Sequence, residues 1–241
     1  NMKLAVLIDP IEKLNPKKDS TIAMLFAAHK LGLELFYMTQ KDLSVENGKA
    51  QAWLTSIEVN ANNNVWYSKK SSSLTKLSEL DIILMRKDPP FDLNYIYTTY
   101  LLELAERDGV LVVNKPQSLR DANEKYFTTM FADFCPTTLI SQDLQQLKHF
   151  WQTHQDVIYK PLDGMGGSSI YHVDEHGRNL NVILEQLTNS QTMPIMAQKY
   201  LPAIKNLGDR RILIVDDYIV QYALARIPQG DDERGNLAQG A

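Results

Sequence analysis

The sequence predicts an α/β fold. An N-terminal domain built on a parallel sheet is followed by an α+β region, in which a mixed or antiparallel sheet carries helices on one side. Three observations lead there. Over roughly the first half of the chain, short apolar runs alternate with segments of helical periodicity. After Pro136 the pattern shifts to strand signals spaced more closely. Two of these later strands flank a glycine-rich stretch, Lys160-Pro-Leu-Asp-Gly-Met-Gly-Gly-Ser-Ser169.

Leu4 to Asp9 reads as a first strand. Asp19 and Ser20 offer an N-cap to a helix marked by Ile22, Leu25, Phe26 and His29, with Gly32 as its stop. Leu33 to Met38 and Asp81 to Arg86 are further strands. Tyr95 to Arg107 is a helix stopped at Gly109, and Val110 to Val113 is the next strand. Strands alternating with helices imply crossover connections, and ligands of such sheets sit beyond the carboxyl ends of the strands, where Arg86 and Asn114 fall. Residues 44 to 78 are rich in Asn, Ser and Lys and give only a loose strand around Ala52 to Val59. Asp121 to Phe134 reads as a helix. Beyond it come a strand at Thr137 to Ser141, a helix marked by Leu144, Leu147 and Trp151, strands at Val157 to Lys160 and Ser169 to Val173, and a helix at Leu180 to Leu187. Strands at Ile195 to Lys199, Arg211 to Val215 and Tyr218 to Leu224 complete the series, the last two meeting at a tight turn, Asp216-Asp217. The expected domains are 1–120 and 121–241.

The chain has 241 residues, of which 44% are hydrophobic, enough for a packed core. No apolar run approaches the roughly 18–20 residues that cross a bilayer, and the N-terminus has no signal-peptide pattern, so a cytoplasmic protein is expected. A net charge of −4 gives no electrostatic reason for nucleic-acid binding. Cys135 is the sole cysteine. Set in an apolar context before Pro136 with no oriented histidine nearby in sequence, it reads as a small buried residue rather than a nucleophile. The five histidines show no metal-ligand spacing.

Gly164, Gly166 and Gly167 let a backbone turn sharply and approach a ligand, and successive N–H groups in such a turn form a concave anion site. Ser168 and Ser169 add hydroxyl donors, and Lys160, at the end of the preceding strand, can reach toward phosphate oxygens. Lysine precedes the glycines, so the stretch is not the G-x-x-x-x-G-K-[ST] loop, and a strand rather than a helix follows it, so it is not a dinucleotide fingerprint. On its own such a cluster is more often a plain hairpin turn.

Longer segments carry more. Asp81-Ile-Ile-Leu-Met-Arg-Lys-Asp-Pro-Pro-Phe91, Val113-Asn-Lys-Pro-Gln-Ser-Leu-Arg-Asp121, Asn123-Glu-Lys125, the glycine stretch, Ala197-Gln198, Tyr200-Leu-Pro-Ala-Ile204, Leu224-Ala-Arg-Ile-Pro-Gln-Gly230 and Arg234-Gly-Asn-Leu-Ala238 occur in one order along the chain. Together they resemble the bacterial glutathione synthetases, a family of the ATP-grasp superfamily. The resemblance implies an ATP-grasp architecture for the second domain and a reaction in which γ-glutamylcysteine, glycine and ATP give glutathione, ADP and phosphate through an acyl phosphate. By the same resemblance, Lys125 and Lys160 hold the ATP phosphates, and Gly164, Gly166, Gly167 and Ser168 form the flap over them. Gln198, Lys199, Tyr200 and Leu201 offer their backbone to the adenine edge, and Asp209 lies near the ribose. Arg86, Arg211, Arg226 and Arg234 surround the dipeptide and the acyl phosphate, with Arg211 and Arg226 in catalytic roles and Arg86, Arg226 and Arg234 in substrate binding. Residues 227–241 correspond to a mobile loop that closes over the intermediate. The family's magnesium ligands are expected beyond Ala241, in a C-terminal part missing from this chain, and a homotetramer is the family's usual assembly. Two alternatives stand beside this reading: another carboxylate–amine ligase on the same fold, and a nucleotide-binding module without catalysis.

Overall fold

The computed structural model describes residues 1–62, 65–165 and 167–229. The chain forms two compact units, residues 1–123 and residues from 124 onward.

The first unit contains β1 (Lys3–Leu7), α1 (Ser20–Lys30), β2 (Glu34–Met38), β3 (Leu43–Glu46), β4 (Lys49–Val59), β5 (Tyr67–Lys76), β6 (Ile82–Met85), α2 (Leu93–Arg107), β7 (Leu111–Val113) and α3 (Pro116–Asp121). The two long helices begin where an aspartate can accept a backbone N–H: Asp19 from Thr21 at 2.7 Å and Asp92 from Tyr95 at 2.8 Å. Strands β2, β1, β6 and β7 lie side by side in parallel, as the alternation predicts. The sheet is nevertheless mixed, because β4 adds to β2 antiparallel and brings β3 and β5 with it, for seven strands in all. The sequence did contain a signal for part of this extension: Asn47-Gly48, both at positive φ, makes the tight turn between β3 and β4. Strand β5 gave none, since YSKKSSSLTK is an exposed edge strand with little apolar alternation. Alternation along β1 sends Ala5 and Leu7 into a core shared with Leu101, Leu102 and Ala105 of α2, and Leu4, Val6 and Ile8 into a core shared with Ile22, Leu25 and Ala28 of α1.

The second unit contains β8 (Thr138–Ser141), α4 (Leu144–His154), β9 (Val157–Pro161), β10 (Tyr171–Val173), α5 (Leu180–Leu187), β11 (Ile195–Lys199), α6 (Ile204–Leu207), β12 (Asp209–Arg211), β13 (Ile214–Val215), β14 (Tyr218–Ile219) and β15 (Leu224–Arg226). Strands β10, β9, β11 and β8 make a fully antiparallel sheet in that order. Helices α4 and α5 pack on one face through Leu147, Phe150, Leu180 and Leu184.

Two expectations are corrected here. The helix expected over Asp121 to Phe134 is instead the end of α3 followed by a 3-10 segment, Tyr126–Phe134, with a non-helical break at Phe131. Thr128 and Thr129 turn their hydroxyls onto the carbonyls of Lys125 and Tyr126 three residues back, at 2.6 and 2.7 Å, which competes with regular α-helix. The two strands expected around Asp216-Asp217 are four short ones, β12 with β15 and β13 with β14. The turn itself is where it was expected, with Asp216 at positive φ. These strands are exposed and pair only in twos, and a two-stranded ribbon has little to hold it regular. No helix among the described residues is long and apolar enough to cross a membrane.

Candidate functional site

Strand alternation gives the four-stranded sheet two unlike faces. Val157, Tyr159, Val173, Ile195 and Ala197 turn toward the helices. The residues between them, Ile158, Lys160, His172, Met196 and Gln198, take the other face, and Thr138 on β8 lies across from Gln198. Met196 on that face is buried and the rest are half-buried. The Gln198 amide donates to the Thr138 hydroxyl at 3.0 Å, which fixes its side chain along the sheet.

Lys160 directly opposes Met196. Its pKa is pushed down from the ordinary lysine value, first by burial and then by the Lys125 ammonium, with Glu124 acting the other way. Lys125 stands just before the 3-10 segment and donates to the Gly164 carbonyl at 2.7 Å and to the Glu124 carboxylate at 2.7 Å. Lys125 is thus tied to the glycine loop, and its charge is felt at Lys160. Like charges near one another disfavour ionisation, and the Glu124 carboxylate, paired with Lys125, offsets part of that cost. Within the loop, Gly167 is buried at φ 72°, and the Ser168 N–H closes a turn onto the Met165 carbonyl at 3.1 Å. Gly166 lies outside the described residues.

At the end of β11 two backbone donors are already committed. The Lys199 N–H donates to the Thr137 carbonyl and the Tyr200 N–H to the Asp156 carbonyl, both at 2.9 Å. Tyr200 is buried, and Leu201 beside it is 53% exposed.

Asp209 and Arg226 engage each other. The guanidinium donates Nε to one carboxylate oxygen and Nη2 to the other, both at 2.6 Å, across the β12–β15 pair. Such a fork is among the stronger polar contacts a protein makes. Arg211 lies exposed two residues along β12. Arg234 lies outside the described residues, as does most of the 227–241 loop. Cys135, expected to be buried, is half-exposed.

Arg86 belongs to the first unit. It follows β6, where the strand order turns from β2–β1 to β6–β7, the place at which open parallel sheets receive ligands. Its backbone N–H donates to the Leu7 carbonyl at 2.8 Å and its Nε to the Thr21 hydroxyl at 3.0 Å. Beside it, Asp9 accepts from the Asp88 N–H at 3.0 Å and pairs with Lys87 at 2.9 Å. Burial, then Asp9 and Asp19, raise the pKa of Asp88. Sequence reading placed Arg86 and Asn114 beyond these strand ends and gave no role to Asp9, Lys87 or Asp88. It also missed Glu124, Thr138, Asp156 and His172 in the second unit. No spacing marks them, because strand pairing and chain folding bring them to the site.

Two family models match the chain: the prokaryotic glutathione synthetase N-terminal domain over residues 2–120 and the prokaryotic glutathione synthetase ATP-grasp domain over residues 124–241. The chain belongs to the prokaryotic glutathione synthetase family. Glutathione synthetases of Salmonella typhi and of Escherichia coli strain K12 are each 54% identical to it over 239 residues, which cover 99% of this chain and 76% and 75% of theirs. Solved structures share the fold at much lower identity. A D-cycloserine synthetase matches with a TM-score of 0.62 at 12% identity, over 98% of this chain and 78% of its own. A RiPP-associated ATP-grasp ligase from Chryseobacterium gregarium, solved with ADP and a leader and core peptide, matches with 0.56 at 15% identity, over 99% and 73%. This glutathione synthetase family member thus has the α/β and ATP-grasp architecture expected of its sequence. Magnesium, which the family resemblance implies, finds no set of three His, Cys, Asp or Glu side chains among the described residues. The ligands that the resemblance implies for it are expected beyond Ala241, outside the described residues.

Proposed function

We propose that this chain is an ATP-dependent ligase that joins γ-glutamylcysteine to glycine, releasing ADP and phosphate through an acyl phosphate. The observation that carries the nucleotide part is the bond from Lys125 to the Gly164 carbonyl of the glycine loop, with half-buried Lys160 on the strand that enters that loop. Such a pair favours a polyanion, and ATP phosphates satisfy both charges at once. The choice of substrates rests on family membership. In this reading residues 1–120 bind the dipeptide, with Arg86 taking part, and residues 121–241 bind ATP.

The dipeptide's cysteinyl carboxylate attacks the γ-phosphate, and the oxygen bridging the β- and γ-phosphates leaves with ADP. Glycine's amine then attacks the activated carbonyl, phosphate departs, and the nitrogen loses its extra proton. The chain's own side chains position the groups and offset charge, as phosphoryl transfer requires, and none becomes covalently attached. Lys160 and Lys125 stand against the phosphates, and Gly164 to Ser168 cover them. With the Lys199 and Tyr200 N–H groups committed, the Leu201 N–H is the donor for the adenine edge, while Gln198 supports that segment by its bond to Thr138. Arg211 is exposed and able to meet the acyl phosphate. Arg226 does so only by leaving Asp209, and Asp209 meets the ribose only once that pair opens. The same reading takes the enzyme as cytoplasmic and homo-oligomeric.

The test is ATP affinity in Lys160→Ala. Loss of one charge-assisted contact should weaken binding by about 1.5–3 kcal/mol. Unchanged affinity would sink the loop assignment. Phosphate release that depends on ATP, γ-glutamylcysteine and glycine tests the ligase, and replacing glycine by alanine tests the acceptor. Retained ATP binding with no turnover would favour a binding module.

A further inference from the structure

We infer that His172 is a positioning residue for the nucleotide, one that ties the strand leaving the glycine loop to the segment that reads the base. The inference rests on the ATP reading above and extends it to a residue outside the set that reading uses. Three contacts carry it. His172 lies on β10, directly after the loop, on the sheet face that also holds Lys160 and Gln198. Its Nε2 bonds the Asp156 carboxylate, and its ring stacks on the Tyr200 ring with centroids 4.1 Å apart and planes 25° from parallel. Asp156 in turn accepts the Tyr200 N–H on its main-chain carbonyl at 2.9 Å.

These contacts close a circuit. Asp156 grips Tyr200 through the backbone and His172 through the side chain, and His172 grips Tyr200 again through the ring. Tyr200 is buried, so its ring has little freedom to shift without the imidazole moving too. Leu201, whose N–H is the remaining base donor of this corner, follows immediately. The position of that donor therefore depends on the His172–Asp156–Tyr200 set. A residue anchored to the loop's exit strand and to the base segment makes the two parts of the nucleotide site move as one piece.

Two measurements on the 241-residue chain test this, the first without nucleotide. In His172→Ala, backbone amide exchange at Tyr200 and Leu201 should accelerate while exchange in α4 and α5 stays as in the parent. Unchanged exchange at Tyr200 and Leu201, or equal acceleration throughout the unit, would overturn the proposal. The second compares ATP with inorganic tripolyphosphate, which lacks the base. His172→Ala should weaken ATP by roughly five- to tenfold, the scale of one lost aromatic contact and its hydrogen bond, and weaken tripolyphosphate by a clearly smaller factor. Equal losses for both ligands would overturn it. Asp156→Asn, which keeps the backbone carbonyl, serves as the second variant should His172→Ala fold poorly, and it should show a smaller loss in the same direction. Failure of the ATP reading itself would show separately, as a parent chain or a Lys160→Ala variant with no difference in ATP affinity; the exchange result would still decide the role of His172.

Discussion

The seven-stranded and the four-stranded sheets use their faces differently. The first is covered on both sides. Along β1, Leu4, Val6 and Ile8 meet one core while Ala5 and Leu7 meet the other. The second is covered by α4 and α5 on one side only, and its other face carries Lys160, His172, Gln198 and Thr138. A sheet buried twice can receive a ligand only past the ends of its strands, where Arg86 and Asp9 stand. The second sheet's other face, half-buried but carrying a lysine, a histidine and a glutamine, offers polar partners along its strands. The same two-residue alternation thus builds a doubly covered core in one unit and a half-buried polar face in the other.

The comparison can be broken most directly in the first core. Leu7 is fully buried, and Leu7→Ala should cost about 2–5 kcal/mol in the unfolding of the first unit, measured by denaturant titration. A cost well under that range would mean the doubly covered sheet can collapse around the gap. The next effect is local. Gly208 sits at φ 60°, and a Cβ there would fall 2.0 Å from the Arg226 carbonyl oxygen. Gly208→Ala should therefore cost more than about 1 kcal/mol and loosen the Asp209–Arg226 pair, visible as faster amide exchange in β12 and β15.

Lys160 tests the polar face. Because its pKa is lowered in the folded chain, the unfolded chain holds that proton more readily. Its charge thus weighs against folding fully below the lowered pKa, and the penalty fades as pH rises toward the ordinary value of 10.5. Lys160→Met should be at least as stable as the parent at neutral pH, and its advantage in Tm should shrink toward pH 10.5. ATP affinity of the parent should fall as pH climbs through the same window, and that of Lys160→Arg should not. A Lys160→Met variant less stable than its parent at pH 7 would show that the face needs the charge for folding. The smallest effect belongs to the exposed ion pair between Lys69 and Glu12, where Lys69→Ala should change stability by no more than about 0.5 kcal/mol.

Much of the strand and helix order was legible because its signals are local. Asp19, named as an N-cap, accepts the Thr21 N–H at its helix start, a short-range interaction that a side chain can make wherever the fold places it; Asp92 and Asp143 do the same at two further helix starts, where the sequence reading did not name them. Apolar periodicity marked β1, β2, β6, α4 and α5 for the same reason. Strand β5 was illegible because an edge strand exposed to water carries no apolar stripe. The segment from Tyr126 to Phe134 misled because its apolar residues resemble a buried helix, yet none of them is buried in the structure.

The sequence alone determined the family, the position of the glycine loop, and the residue types able to neutralise phosphate, since these reside in side-chain chemistry and in runs of neighbouring residues. Only the tertiary structure decided which of those residues meet. It joined Lys125 to Gly164 across 39 positions and turned Asp209 onto Arg226 across 17. It also set His172 between Asp156 and Tyr200. Pairing register fixes such meetings, and register depends on which strand lies alongside which, a choice made by burial of the whole sheet rather than by any one stretch of chain.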